Sequence, residues 1–243
     1  MLGDMLDAVL FDWGDTLFRS DFDDATLRRG WAAGLAAIGR DGLPDPEECA
    51  ACFRERYLPR IYAPELLDEV DYAALVHELL GGFGVVLADD ELVRFLAAEH
   101  AEEIPARRDG DVGHALLDAL RALGLGVGLV SNACDPSWLV RDDLEWMGLA
   151  PRLDVAVFSS DVGKRKPHPA IFQAALEILG ADPARTLFVG DRCYEDVLGA
   201  KELGMATVLA HWFREDADPR GADPDYVATT PDAVLEIVRT LHR

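Results

Sequence analysis

The sequence predicts an α/β fold, a doubly wound parallel sheet with an inserted α-helical cap, and three observations lead to it. Four short apolar, β-branched runs each stop at a polar or small residue: 8–11 before Asp12, 127–130 before Ser131, 155–158 before Ser159, and 186–189 before Gly190 and Asp191. Such runs read as strands buried on both faces. Helix-like stretches separate them, and strand alternating with helix at these lengths makes a parallel sheet. The gap between the first and second runs is far longer than one crossover helix needs.

Taken in order, the first run is followed by helical periodicity over 25–38, 46–57, 72–80 and 90–100, an inserted cap over the edge of the sheet. Pro- and Gly-containing breaks at 17–24 and 104–113 are the expected hinges. The expected division is therefore a core of 1–17 and 110–243 and a cap of 18–109. Pro169 opens a helix over 169–179 that Gly180 closes, and Gly204 closes another over 195–203. A fifth strand is expected at 206–210, and residues 216–225 form a polar loop rich in Pro and Gly. Thr230 and Pro231 open a last amphipathic helix with Val234, Ile237, Val238 and Leu241 on its apolar face.

With 243 residues, half of them hydrophobic and 28% charged, the chain is long enough to bury a large core and ordinary for a folded protein. The formal charge of −22, from 45 acidic against 23 basic residues, repels polyanions and anionic bilayers, which argues against nucleic-acid and membrane partners. A small phosphate ester needs only a local reversal of that field by a metal and a few cations. No apolar run approaches a membrane span. The first residues carry acids where a secretory leader needs a basic region, so a cytoplasmic location is expected. Cys49, Cys52, Cys134 and Cys193 are too few and scattered for a disulfide framework. Cys49 and Cys52 form a C-x-x-C on a helical segment with no second pair at zinc spacing, which favours free thiols.

The polar segments at the strand ends are Asp12-Trp13-Gly14-Asp15-Thr16, Ser131-Asn132, Lys166-Pro167-His168-Pro169, and Gly190-Asp191 through Asp196. In this order they resemble the four motifs of the haloacid dehalogenase (HAD) superfamily, and in particular its phosphatases with a helical cap between the first two motifs. The resemblance spans nearly the whole chain and implies a Rossmann-like core. It also implies a Mg²⁺-dependent hydrolase of small phosphorylated metabolites. In it, Asp12 is the nucleophile that forms an aspartyl-phosphate. Asp12, the Gly14 carbonyl, Asp191 and Asp196 hold the metal, with Asp196 acting through water or as partner of the lysine. Ser131 and the Asn132 amide hold phosphoryl oxygens, and Lys166 offsets the clustered charge.

Each residue also has a bland reading. Asp191 and Ser131 are the kind of residue that caps a following helix. Asp12 fits that reading less well, since a buried carboxylate needs a partner or a metal. Lys166 has compositional support: only three lysines, Lys164, Lys166 and Lys201, stand among the 23 basic residues, so a lysine is used where a compact charge on a flexible stem matters. Lys164 reads as a solvated charge and His168 as part of the helix start.

The first motif departs from the family pattern Asp-x-Asp-Gly-Thr. Gly14 takes the place of the second Asp, the general acid and base, and an acid follows one residue later as Asp15. Asp15 tolerates the left-handed backbone and can fill the turn; whether it also supplies the proton is left open. A catalytically impaired relative that binds metal and phosphate is the main alternative. Phosphonatase-type chemistry uses a cap lysine, and no lysine precedes Lys164. The dehalogenases resemble Asp-x-Tyr-Gly-Thr, and position 14 is no tyrosine.

Overall fold

The computed structural model describes residues 6–63 and 65–242. Residues 1–5, on which the reading of the N-terminus partly rests, lie outside the described residues. The strands are β1 (Ala8–Phe11), β2 (Arg19–Ser20), β3 (Arg107–Arg108), β4 (Gly126–Ser131), β5 (Val155–Phe158), β6 (Thr186–Gly190), β7 (Ala206–Ala210) and β8 (Tyr226–Ala228). The helices are α1 (Asp24–Ile38), α2 (Pro46–Arg56), α3 (Leu58–Ile61), α4 (Tyr72–Gly82), α5 (Asp89–Ala101), α6 (His114–Ala122), α7 (Ser137–Trp146), α8 (Ser159–Val162), α9 (Pro169–Leu179), α10 (Gly199–Glu202) and α11 (Pro231–Leu241).

Six strands form one sheet in the order β5-β4-β1-β6-β7-β8, and every pair in it is parallel. All four residues of β1 are buried. Because side chains alternate across a strand, Val9 and Phe11 join an apolar layer with α6, α7 and α11. Leu10 faces the opposite layer with Ile171 and Phe172 of α9. From β1 the chain runs outward through β4 to β5 on one side and then crosses back to β6 on the other side of β1, so the carboxyl end of β1 is a topological switch point, where doubly wound sheets bind ligands.

Helices α1, α2, α4 and α5 close around Trp31, Phe53, Tyr57, Tyr72 and Phe95. Asp23, Asp45 and Asp71 cap α1, α2 and α4 by accepting backbone N–H bonds, each satisfying a donor the helix leaves unpaired. The two segments read as hinges meet as an antiparallel ribbon, with Arg19 opposite Arg108 and Ser20 opposite Arg107. Among the described residues no helix is long and apolar enough to cross a membrane.

Two elements differ from the sequence reading. The helix expected over 195–203 begins as a π-helical turn, Cys193–Leu198, because the amides of Asp196 and Val197 both reach the Arg192 carbonyl at 3.1 Å. The edge strand β8 was unread because Tyr226 and Val227 are exposed and leave no buried run to detect.

Candidate active site

The switch point gathers the polar strand ends. The Asp12 amide donates to the Val189 carbonyl at 2.9 Å, which extends the sheet by one residue and places the side chain at its carboxyl edge. Lys166 Nζ reaches Asp12 Oδ1 at 2.5 Å, Asp196 Oδ1 at 2.7 Å and the Val130 carbonyl at 2.9 Å. Thr16 Oγ1 donates to Asp12 Oδ2 at 3.4 Å. Gly190 makes the approach of Asp196 feasible, because a Cβ there would collide with the Asp196 side chain. Asp196 Oδ2 in turn accepts the Arg192 amide at 2.9 Å. A cleft of about 250 Å³ opens above Asp12, lined by Gly14, Asp15, Ser131, Asn132 and Lys166.

Lys166 is 2% exposed. Burial opposes its charge, but Asp12 and Asp196 outweigh burial and raise its pKa, so it is a permanent cation. Burial lifts the Asp196 carboxyl to about 6 even with Lys166 pulling it down. Burial, then Asp12 and Asp196, raise Asp191 well above its ordinary value. Among the described residues both Asp191 oxygens lack a hydrogen-bond donor, although Arg214 Nε stands 3.3 Å from Oδ2. Carboxylate oxygens of Asp12, Asp191 and Asp196 lie within 4.8 Å of one another. Two orphaned buried oxygens beside two more carboxylates form an all-oxygen donor set suited to a hard divalent cation.

Asp15 takes the left-handed backbone, with φ 58°, so it fills the turn. Its carboxylate turns towards the chain that follows: Oδ1 accepts the Ser20 amide at 3.1 Å and Oδ2 lies 3.8 Å from Arg214. At Gly14 a Cβ would touch only the Phe18 ring, at 3.7 Å.

The sequence model of the haloacid dehalogenase-like hydrolases matches residues 6–204. The chain belongs to the haloacid dehalogenase-like hydrolase family. It is 34% identical over 244 aligned positions to a glyceraldehyde 3-phosphate phosphatase of Methanopyrus kandleri, covering 98% of this chain and 99% of that protein. Among solved structures, it resembles a HAD phosphatase from Thermococcus onnurineus, with TM-score 0.61 and 24% identity over 96% of this chain and 98% of that one. It also resembles a 2-haloacid dehalogenase from Pseudomonas syringae, with TM-score 0.65 and 20% identity over 97% and 99%. At such identities the structural likeness concerns the fold, which serves both chemistries.

Sequence reasoning missed several features of this hydrolase site. The Asn132 side chain clamps the third motif: Oδ1 accepts the Lys166 amide at 2.7 Å and Nδ2 donates to the Lys166 carbonyl at 3.3 Å. Glu69, from the loop before α4, accepts from Arg165 at 2.7 Å and from the Ser159 hydroxyl, and its amide donates to Gly163. The cap is thus fastened to the core beside Lys166. Arg192 and Arg165 line the cleft; their position among the strand-end motifs of so acidic a chain was the available signal. His168 accepts the Ala170 amide at the start of α9, and Lys164 pairs with Asp68 at the surface. Trp31 and Tyr57 are buried in the cap, while Arg54 and Arg60 pair with Asp24 and Glu78 on its surface.

Proposed function

We propose that this hydrolase is a phosphatase that cleaves small organic phosphate esters through an aspartyl-phosphate on Asp12, with Mg²⁺ as its cofactor. The observation that carries the reading is the buried array at the end of β1, in which Lys166 bridges Asp12 and Asp196 beside the orphaned oxygens of Asp191. The full-length match to a glyceraldehyde 3-phosphate phosphatase supports a small phosphorylated metabolite as substrate.

Asp12, the Gly14 carbonyl and Asp191, with Asp196 at second hand, would hold the metal, which supplies charge neutralisation on the phosphoryl oxygens. Lys166 fixes the Asp12 carboxylate and removes part of the repulsion between it and an incoming dianion. Ser131 and Asn132 line the same cleft, and the Ser131 hydroxyl and the Asn132 backbone amide donate to the transferring group. Attack of an Asp12 oxygen on phosphorus forms the acyl phosphate as the ester oxygen leaves. Water then cleaves the new P–O bond, giving inorganic phosphate and free Asp12.

The test is Mg²⁺-dependent phosphate release from an aryl ester with a good leaving group and an alkyl ester with a poor one, with Asp12→Asn as the blank. Turnover that disappears with chelator and in the variant is the expected result. Folded protein without metal-dependent turnover of either ester refutes the reading. It would favour a relative that binds metal and phosphate without hydrolysis, which the engagement of Asp15 with Ser20 and Arg214 also favours.

A further inference from the structure

The cleft above Asp12 does not end at the core. It passes Gly14, Ser131 and Asn132 into a hollow of about 180 Å³ whose other wall carries Glu103, Arg107 and Asp135. A third space of about 160 Å³ continues beneath Tyr62, Tyr72 and Glu99 of the cap. Ser20 and Tyr62 border all three, so a substrate with its phosphoryl group at Asp12 would extend its leaving group towards Glu103.

Breaking a P–O bond to an alkyl group needs a proton on the departing oxygen, since an alkoxide is a poor leaving group. The donor must face this passage and be free to release and recover a proton. Asp12 is held by Lys166, and Asp15 by Ser20 and Arg214. Glu195 pairs with Arg192 at 3.3 Å, and Asp135 faces His100 Nδ1 at 3.6 Å. Glu99 is buried in the third space, where its Oε1 accepts from the Tyr72 hydroxyl at 3.0 Å, and it borders neither the cleft above Asp12 nor the hollow beside Gly14. Glu103 differs. Its Oε2 accepts from Arg107 at 3.3 Å, while Oε1 has no hydrogen-bond partner among the described residues, and the side chain keeps 24% exposure. Gly14 and Phe18 border the same hollow as Glu103, so the room left by the missing side chain at 14 is room that Glu103 faces.

We infer that Glu103, from the segment between α5 and β3, is the general acid and base of this hydrolase. The assignment rests on the phosphatase reading above. In the first step the Asp12 oxygen–phosphorus bond forms, the phosphorus–ester oxygen bond breaks, and the Glu103 proton passes to the departing oxygen as an alcohol. In the second step the Glu103 carboxylate takes a proton from water as the water oxygen bonds to phosphorus. The phosphorus–Asp12 bond breaks, and Glu103 is again an acid.

The surroundings suit that cycle. Glu99 and His100 on the preceding helix, Asp135 after β4, Asp143 on α7, and Arg107 and Arg165 are the charged groups around Glu103, and Tyr62, Tyr72 and Cys134 are the neutral titratable ones. Burial, followed by Asp135, lifts Glu103 to about 7 although His100 and Arg107 pull it down, so both protonation states are populated near neutrality. Asp143 accepts from His100 Nε2 at 2.7 Å and pairs with Arg107, which fixes the cation that orients Glu103.

The test compares wild type, Glu103→Gln and Glu103→Gln/Gly14→Asp with Mg²⁺ on the aryl and alkyl esters. Glu103→Gln is expected to lower alkyl turnover about 10²–10⁴-fold. On the aryl ester it is expected to give a burst of about one phenolate per site and then slowed turnover, because only the water step needs the base. The wild-type alkyl kcat/KM should fall above about pH 7, a limb the variant lacks, and Gly14→Asp in the double variant should restore alkyl turnover. Unchanged alkyl turnover in Glu103→Gln, or equal loss on both esters without a burst, overturns the assignment alone. Absence of aryl turnover in the wild type overturns the phosphatase reading and this assignment together.

Discussion

Replacing Lys166 by Met keeps an unbranched side chain, one atom shorter, and removes one charge from the centre of the site. The structure sets the scale of the effect. Nζ is shared by two carboxylates and a backbone carbonyl at 2.5–2.9 Å, and its side chain is 1% exposed. Removing one partner of a buried ion pair costs about 3–5 kcal/mol, because the remaining charge is stranded. In a chain of this length each kcal/mol moves Tm by about 2–4 °C, so metal-free Lys166→Met should melt on the order of 10 °C below wild type at pH 7. The sign with pH follows from Asp196. Burial already raises its carboxyl to about 6 against the pull of Lys166, and without the lysine it rises further. The variant then relieves its stranded charge by taking up a proton, so its deficit should shrink as pH falls from 7 to 5. Thermal unfolding followed by circular dichroism in chelator at both pH values measures this. A variant that melts within 2 °C of wild type at pH 7, or whose deficit grows at pH 5, refutes the buried-charge argument.

Three further outcomes are expected. Asn132→Ala removes both side-chain bonds to the Lys166 backbone; at about 1 kcal/mol each it should lower stability by about 2 kcal/mol in urea titration and reduce kcat more than it raises KM. Glu69→Ala unfastens the cap loop from Arg165 and Ser159, so limited proteolysis should cut near residues 62–70 at least several-fold faster than in wild type. His100 stabilises the α5–α7 contact as a cation: burial opposes the charge, but Asp135 and Asp143 outweigh it and raise its pKa from 6.5 to about 10. A raised histidine contributes fully below 6.5 and loses that contribution as pH climbs to about 10, so the stability gap between wild type and His100→Gln should be wide at pH 6 and narrow at pH 10.

The core strands and most helix limits were legible because each rests on a local signal. Residues 8–11 are an apolar run ended by an acid, and Gly180 closes α9 in the left-handed conformation. Gly14 and Asp15 were legible as a departure, but their consequence was not, since the direction of the Asp15 carboxylate depends on Ser20 and Arg214. Arg214 follows β7 by only a few residues and carried no motif.

The sequence by itself determined the alternation of strand and helix, the long insert after β1, and the identity of the residues at the strand ends, because propensity, periodicity and turn chemistry act over a few neighbours. Only the tertiary structure decided that Asn132 grips the Lys166 backbone, that Glu69 ties the cap to the core, and that Glu103 faces the room left by Gly14. Those pairs are separated by tens of residues along the chain. They meet because the parallel crossovers and the β2–β3 ribbon bring distant segments to one edge of the sheet, a consequence of how whole elements pack that no local pattern encodes.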